Sequence, residues 1–151
     1  MSNKRMRLAG LSAALALAIA SLVGSAAAQD IRLSARQNKV INGIEAQLRG
    51  DYRDRGTSQR LNSELENINV PVGTKVAFCL LQNGVKSLVG VGTVRMVAGR
   101  PTATVELNTN DGEVVPHVSA GDVLQARQKK SAPFKASPGC GTALLVSGAF
   151  Q

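Results

Sequence analysis

After its first thirty or so residues, this chain places apolar side chains at every second position, and turn residues interrupt the pattern about every eight to twelve residues. A period of two puts alternate side chains on opposite faces of an extended strand. No helical stripe competes with it, so the expected fold is all-β. At 44–48, Ile44, Ala46 and Leu48 share one face and Glu45 and Gln47 the other, with an end expected at Gly50. The polar stretch 51–56 reads as a connection. Leu61, Ser63 and Leu65 then alternate with Arg60, Asn62, Glu64 and Glu66, giving a hairpin with one wet face. Pro71-Val72-Gly73 is a turn, and residues 75–81 follow as a strand that is apolar on both faces, the mark of a central position.

Asn83-Gly84 marks the next reversal. Residues 88–97 form a further strand, with Gly90 and Gly92 on one face inviting a bulge or a close approach. Ala103, Val105 and Leu107 oppose Thr104, Glu106 and Asn108, and Asn110-Asp111-Gly112 turns the chain back. Pro116 holds any strand at Val114-Val115 to a short or edge segment, and residues 123–128 and 142–150 supply the last two strands. The count is about seven, with an eighth at 31–35 and no assignment for 36–43. It predicts an antiparallel two-layer sandwich of immunoglobulin-like size. One Tyr, three Phe and no Trp cannot supply the aromatic girdles of a transmembrane barrel.

The N-terminus carries an address. Lys4, Arg5 and Arg7 form a charged head, residues 8–23 an uncharged run rich in Leu and Ala, and Ala26, Ala27 and Ala28 a small-residue tail. This is the pattern of a cleaved export signal. The run is shorter than the ~20 residues that span a bilayer, so cleavage near Gln29 is expected, with no membrane span afterwards. Residues 1–28 then form the signal and 29–151 a single domain in the periplasm or outside the cell. The leader holds three of the 18 Lys and Arg and none of the 10 Asp and Glu, leaving 15 against 10, a net charge of +5. That balance keeps a small domain soluble and attracts polyanions weakly.

Cys79 and Cys140 are the only cysteines. Export into an oxidising space, and a spacing unlike Cys-x-x-Cys, predict a structural disulfide. The bond would tie the irregular segment 129–141 to the central strand.

Residues 70–151 contain Val-Pro-Val-Gly-Thr at 70–74, Leu-Val-Gly-Val-Gly-Thr-Val at 88–94, Asp-Gly-Glu-Val-Val-Pro at 111–116, Ala-Gly-Asp-Val-Leu at 120–124 and Leu-Leu-Val-Ser-Gly-Ala-Phe at 144–150. In these turn and strand motifs the segment resembles a group of uncharacterised bacterial exported β domains. The resemblance implies a fold and no particular activity. The cysteine pair is an elaboration of that pattern.

Signatures of chemistry are few. His117 is the only histidine, and it reads as a loop residue with no nucleophile placed beside it. No Gly-x-Ser-x-Gly, phosphate-cradling Gly-x-x-x-x-Gly-Lys or His-Glu-x-x-His is present. No catalytic residue, metal or cofactor is therefore expected. Asn108, Asn110, Asp111 and Glu113 crowd one turn, but they lack calcium-loop spacing and read as an Asp-Gly reversal.

Two basic clusters remain: Arg49, Arg53, Arg55 and Arg60 around the first hairpin, and Arg127, Lys129, Lys130 and Lys135 leading into the segment before Cys140. If they met on one edge, they would attract an anionic polymer with strong salt dependence. Nucleic acid is not an expected partner, because aromatic stacking groups are nearly absent. Arg49-Gly50-Asp51 spells an adhesion tripeptide that a hairpin tip would expose, and is read as coincidence.

The leading expectation is a non-enzymatic exported module, binding or structural, with an unidentified envelope or extracellular partner. Two other readings remain open. One is a secreted enzyme with a loop-borne site drawn from His117, Asp111 and Glu113. The other is an inhibitor or adhesin presenting the loop 129–141.

Overall fold

The computed structural model describes residues 29–129, 139–141 and 143–151. The export signal expected at 1–28, and the loop lysines Lys130 and Lys135, lie outside the described residues. Among the described residues nine strands form: β1 Ile31–Ile41, β2 Ile44–Asp54, β3 Gln59–Glu66, β4 Lys75–Gln82, β5 Val85–Thr93, β6 Arg95–Val97, β7 Arg100–Asn108, β8 Val123–Gln128 and β9 Ala143–Ala149. They make two sheets, β1-β2-β3-β7-β6 and β5-β4-β8-β9. Every pairing is antiparallel. The expected all-β two-layer architecture is present, with more strands than the seven counted from alternation.

Two differences from the sequence reading share one cause, which is that a strand with a wet face looks polar in sequence. β1 runs on to Ile41, through the unassigned residues, and turns at Asn42-Gly43, where both residues have positive φ. That is the backbone of a tight primed hairpin turn. β2 continues through Asp51, Tyr52, Arg53 and Asp54, because β1 and β3 pair with it on both sides. Residues 51–54 are therefore strand, with Tyr52 facing inward, and not connection. Arg49-Gly50-Asp51 accordingly lies in the middle of β2, not at a tip, and Gly50 is buried against Leu124 and Phe150. The segment around Val114-Val115 forms no strand. It is a loop that pushes Val115 and Val118 into the core.

The expected strand at 88–97 is one run that serves both sheets. β5 pairs with β4, and after Val94 the chain continues as β6, which pairs with β7. A register shift between Phe78 and Cys79 leaves Val89 as the extra residue opposite β4, so a bulge does occur beside Gly90. Gly92 permits close approach to β7: an added Cβ would lie 2.8 Å from the Thr104 carbonyl oxygen. On the other side of the sandwich the chain end stitches the sheets together. Ser34 and Gln151 exchange two backbone hydrogen bonds of 3.0 Å each, beside an antiparallel bridge from Ala35 to Phe150.

Between the sheets lie Tyr52, Phe78, Phe150, Leu48, Leu61, Leu65, Leu80 and Leu124, all fully buried. Burial of each such side chain contributes about 1.5–3 kcal/mol. β4 is an interior strand, and its two faces serve different layers. Val76, Phe78 and Leu80 join the core, whereas Ala77 and Cys79 are equally inaccessible on the outer side. There Cys79 is bonded to Cys140, with Cα atoms 5.8 Å apart across 61 residues of sequence.

Candidate anion-binding face

Register alone builds an arginine row on the outer face of the five-stranded sheet. Arg32 of β1 stands opposite Arg53 of β2, and Arg53 opposite Arg60 of β3. Neighbouring strands lie about 4.8 Å apart, so three guanidinium groups crowd a span of about 10 Å. Carboxylates make this tolerable. Asp30, just ahead of β1, accepts from Arg53 Nε at 2.9 Å and Arg53 Nη2 at 2.8 Å, and from Arg32 Nη2 at 3.0 Å and Arg32 Nε at 3.3 Å. Arg60 Nη2 lies 2.7 Å from Glu106 Oε1 on β7.

The Arg53 and Arg32 hydrogen bonds, in that order, hold the Asp30 carboxyl well below the usual carboxylate range. The same bond to Asp30 pushes the Arg53 guanidinium up. Beside the row lies a concavity of about 430 Å³, lined by Arg32, Arg53, Arg60, Ser34, Asp51 and Asn62 among others. The Asn62 Oδ1 is buried there with no hydrogen-bond partner among the described residues. A second hollow of about 220 Å³ shares Arg53 and Arg60 and adds Arg55 and Asn110.

Of the four hairpin arginines singled out in the sequence, Arg53, Arg55 and Arg60 come together, while Arg49 is taken up elsewhere. Its guanidinium lies 3.9 Å from Glu64 and 3.7 Å from Glu66. Burial, followed by the neighbouring Glu66, pushes the Glu64 carboxyl up, and Arg49 offsets part of that shift. Arg32 and Asp30 were missed. Reading β1 through to the Asn42-Gly43 turn would have set Arg32 directly across from Arg53.

The second basic cluster belongs to the other sheet. Arg127 and Gln125 alternate with the core residues Leu124 and Ala126 on β8, and so share the outer face with Cys79. Arg127 Nε donates to the Gly141 carbonyl at 3.3 Å and its Nη1 to Gln125 Oε1 at 3.2 Å, which seats the Cys140 segment on the sheet. The Lys129 backbone N–H donates to the Lys75 carbonyl at 2.9 Å, just past the end of β8. Among the described residues the two clusters therefore occupy opposite outer faces and share no edge.

The remaining candidates hold turns and loops. Asn108 Oδ1 accepts from the Asn110 N–H, Glu113 Oε2 from the Asn108 N–H, and Gly112 has φ +80°. These side chains close a short 3-10 turn at Thr109–Asp111. His117 is exposed, yet its Nδ1 lies 3.4 Å from the Tyr52 hydroxyl, which also lies 3.4 Å from Asp54 Oδ2. Burial, and then the Asp54 charge, push the Tyr52 hydroxyl up. The Gly56 N–H, then the Gln59 amide, hold the Asp54 carboxyl down. Gln82 Nε2 donates to the His117 carbonyl and to Asp122. The arrangement fixes the loop that carries Val115 and Val118.

No His, Cys, Asp or Glu group among the described residues is clustered to hold a metal ion, and no helix there is long and apolar enough to cross a membrane. No family model, curated protein or solved structure matches this chain.

Proposed function

We propose that this chain is a non-enzymatic binding module, exported to the periplasm or beyond, whose outer β1-β2-β3 face holds anionic groups of an envelope or extracellular polymer. The observation that carries the reading is the row Arg32, Arg53 and Arg60, set side by side by strand register above a concavity. Cations aligned this way focus a field on their own face and raise the local concentration of an anion. The disulfide supports an oxidising destination, since such bonds persist outside reducing compartments. Export also fits the basic and apolar leader. The rival enzymatic assignment loses support because Glu113 and His117 are engaged in turn and loop contacts.

The test is elution from an immobilised polygalacturonate resin. The wild-type chain is expected to require added salt for release, and Arg53→Ala combined with Arg60→Ala to elute near the starting buffer. Equal elution of the two proteins would overturn the reading.

A further inference from the structure

We infer that the Arg32–Arg53 pair is a carboxylate site for acidic sugar units, and that the chain keeps it filled with its own Asp30. The inference rests on the anion-binding reading above and deepens it. Arg53 engages Asp30 side-on, with Nε and Nη2 on separate carboxylate oxygens at 2.9 and 2.8 Å. That two-pronged contact matches a planar carboxylate. The occupant is weakly held in every other respect. Asp30 precedes the first ladder pair, Ile31 with Asp54, so its carboxylate can leave without breaking a sheet hydrogen bond. Its side chain is 42 % exposed and that of Arg32 66 % exposed, and ion pairs of such exposure are readily displaced.

The adjoining walls say what else the ligand carries. The concavity of about 430 Å³ falls within the ~300–1,000 Å³ of small-molecule sites. Beside the arginines it offers an acceptor, the Asp51 carboxylate, whose Oδ1 takes Arg36 Nη2 at 2.7 Å and which keeps further lone pairs. A carboxylate acceptor next to a cationic fork suits a ligand that bears hydroxyl donors beside a single negative charge. A uronic acid unit has that composition. A phosphate-rich chain does not, because its dense charge would meet Asp51 with no proton to donate. When a uronate carboxylate enters, Asp30 swings out and the Arg53 bonds are re-formed with the ligand. No covalent bond changes.

Titration calorimetry of trigalacturonate against the full chain tests this, with short-chain polyphosphate as comparator. A tether of this length sets an effective concentration in the millimolar range, so Asp30→Asn is expected to tighten trigalacturonate binding about 3- to 10-fold. Glu45→Gln removes one charge from the same face without touching Arg53, and is expected to change affinity less than about 2-fold. Arg53→Ala is expected to abolish binding both alone and combined with Asp30→Asn. Thermal unfolding of each variant establishes that it is folded. If the wild type binds and loses binding with Arg53→Ala, but Asp30→Asn is unchanged or weaker, the built-in occupant is wrong while the anion-binding reading stands. If polyphosphate gains as much as trigalacturonate, the carboxylate assignment is wrong. If neither the wild type nor Asp30→Asn binds either ligand, both inferences fail.

Discussion

The outer faces of the two sheets solve the same problem in opposite ways. On the five-stranded sheet the exposed side is built from long charged residues that pair across strands, Arg36 with Asp51 at 2.7 Å and Arg60 with Glu106 at 2.7 Å. It stands in water and leaves a polar hollow open. On the four-stranded sheet the equivalent positions hold Ala77 and Cys79, both at 0 % exposure, and Gln125 at 8 %. Small residues cannot shield a sheet face by themselves, and among the described residues Cys140 and Gly141 lie against this one, held by the disulfide and by the Arg127 bond to Gly141. The face sealed by the disulfide serves stability, whereas the proposed recognition lies on the face left wet and charged.

Breaking the covered face has the largest expected effect. Replacing Cys79 and Cys140 by serine releases a loop of 61 residues, and loop-closure entropy puts the loss at about 4 kcal/mol in urea unfolding. Arg53→Ala on the wet face is expected to move the urea midpoint little, because surface ion pairs contribute little. If both changes destabilised equally, the contrast would vanish.

Next comes the corner where one strand serves both sheets. Gly92→Ala drives a Cβ to 2.8 Å from backbone at Thr104 and is expected to cost about 1–3 kcal/mol. Gly50→Ala meets only the ends of the Leu124 and Phe150 side chains, at 2.7 and 2.9 Å. Side chains shift more readily than backbone, so its cost is expected to be smaller. The ranking is read from thermal midpoints.

A gain is expected from the layer between the faces. Ser63 is fully buried behind the arginine row and its hydroxyl has no partner among the described residues. Ser63→Ala removes an unsatisfied polar group and is expected to stabilise by up to about 1 kcal/mol. A loss of stability in urea titration would show that the hydroxyl is satisfied after all.

The smallest effect is acid sensitivity, and the wet face contributes to it through Asp30. Asp30 and Asp54 bind protons less readily when folded, so the stability they contribute is present above the unfolded value of 3.8 and lost as pH falls through the folded one. Glu64 has the opposite sign, since its folded pKa is raised. Asp30→Asn is expected to flatten the fall of the thermal midpoint below about pH 4, and Gln125→Leu on the covered face to leave it unchanged.

How far each face could be read in advance follows from the same contrast. β4 and β8 were legible to within a residue, because apolar alternation is dense where both faces are dry. Residues 36–41 of β1 and the second half of β2 were not, because charged and polar residues outnumber apolar ones there and alternation fades. The sign that would have recovered them is Asn42-Gly43, the same reversal recognised at Asn83-Gly84. With that hairpin in place, the pairing of Arg32 with Arg53 follows by counting. The clasp on Asp30 does not, since it depends on side-chain reach beyond the last ladder pair. The disulfide was legible from export and cysteine parity alone. That Cys140 is bonded on the face opposite the arginines depends on which side of β4 Cys79 occupies, and alternation fixes that side only once the core face is known.

The account turns on recognition residing on the wet face alone, and amide and arginine side-chain NMR during titration with trigalacturonate tests this most directly. The expected result is perturbation confined to Arg32, Arg53, Arg60, Asn62 and their neighbours on β1 to β3, with the Arg53 Nε–H signal moving most. Perturbation centred on Gln125, Arg127 and Lys129, or none at saturating ligand, would contradict it.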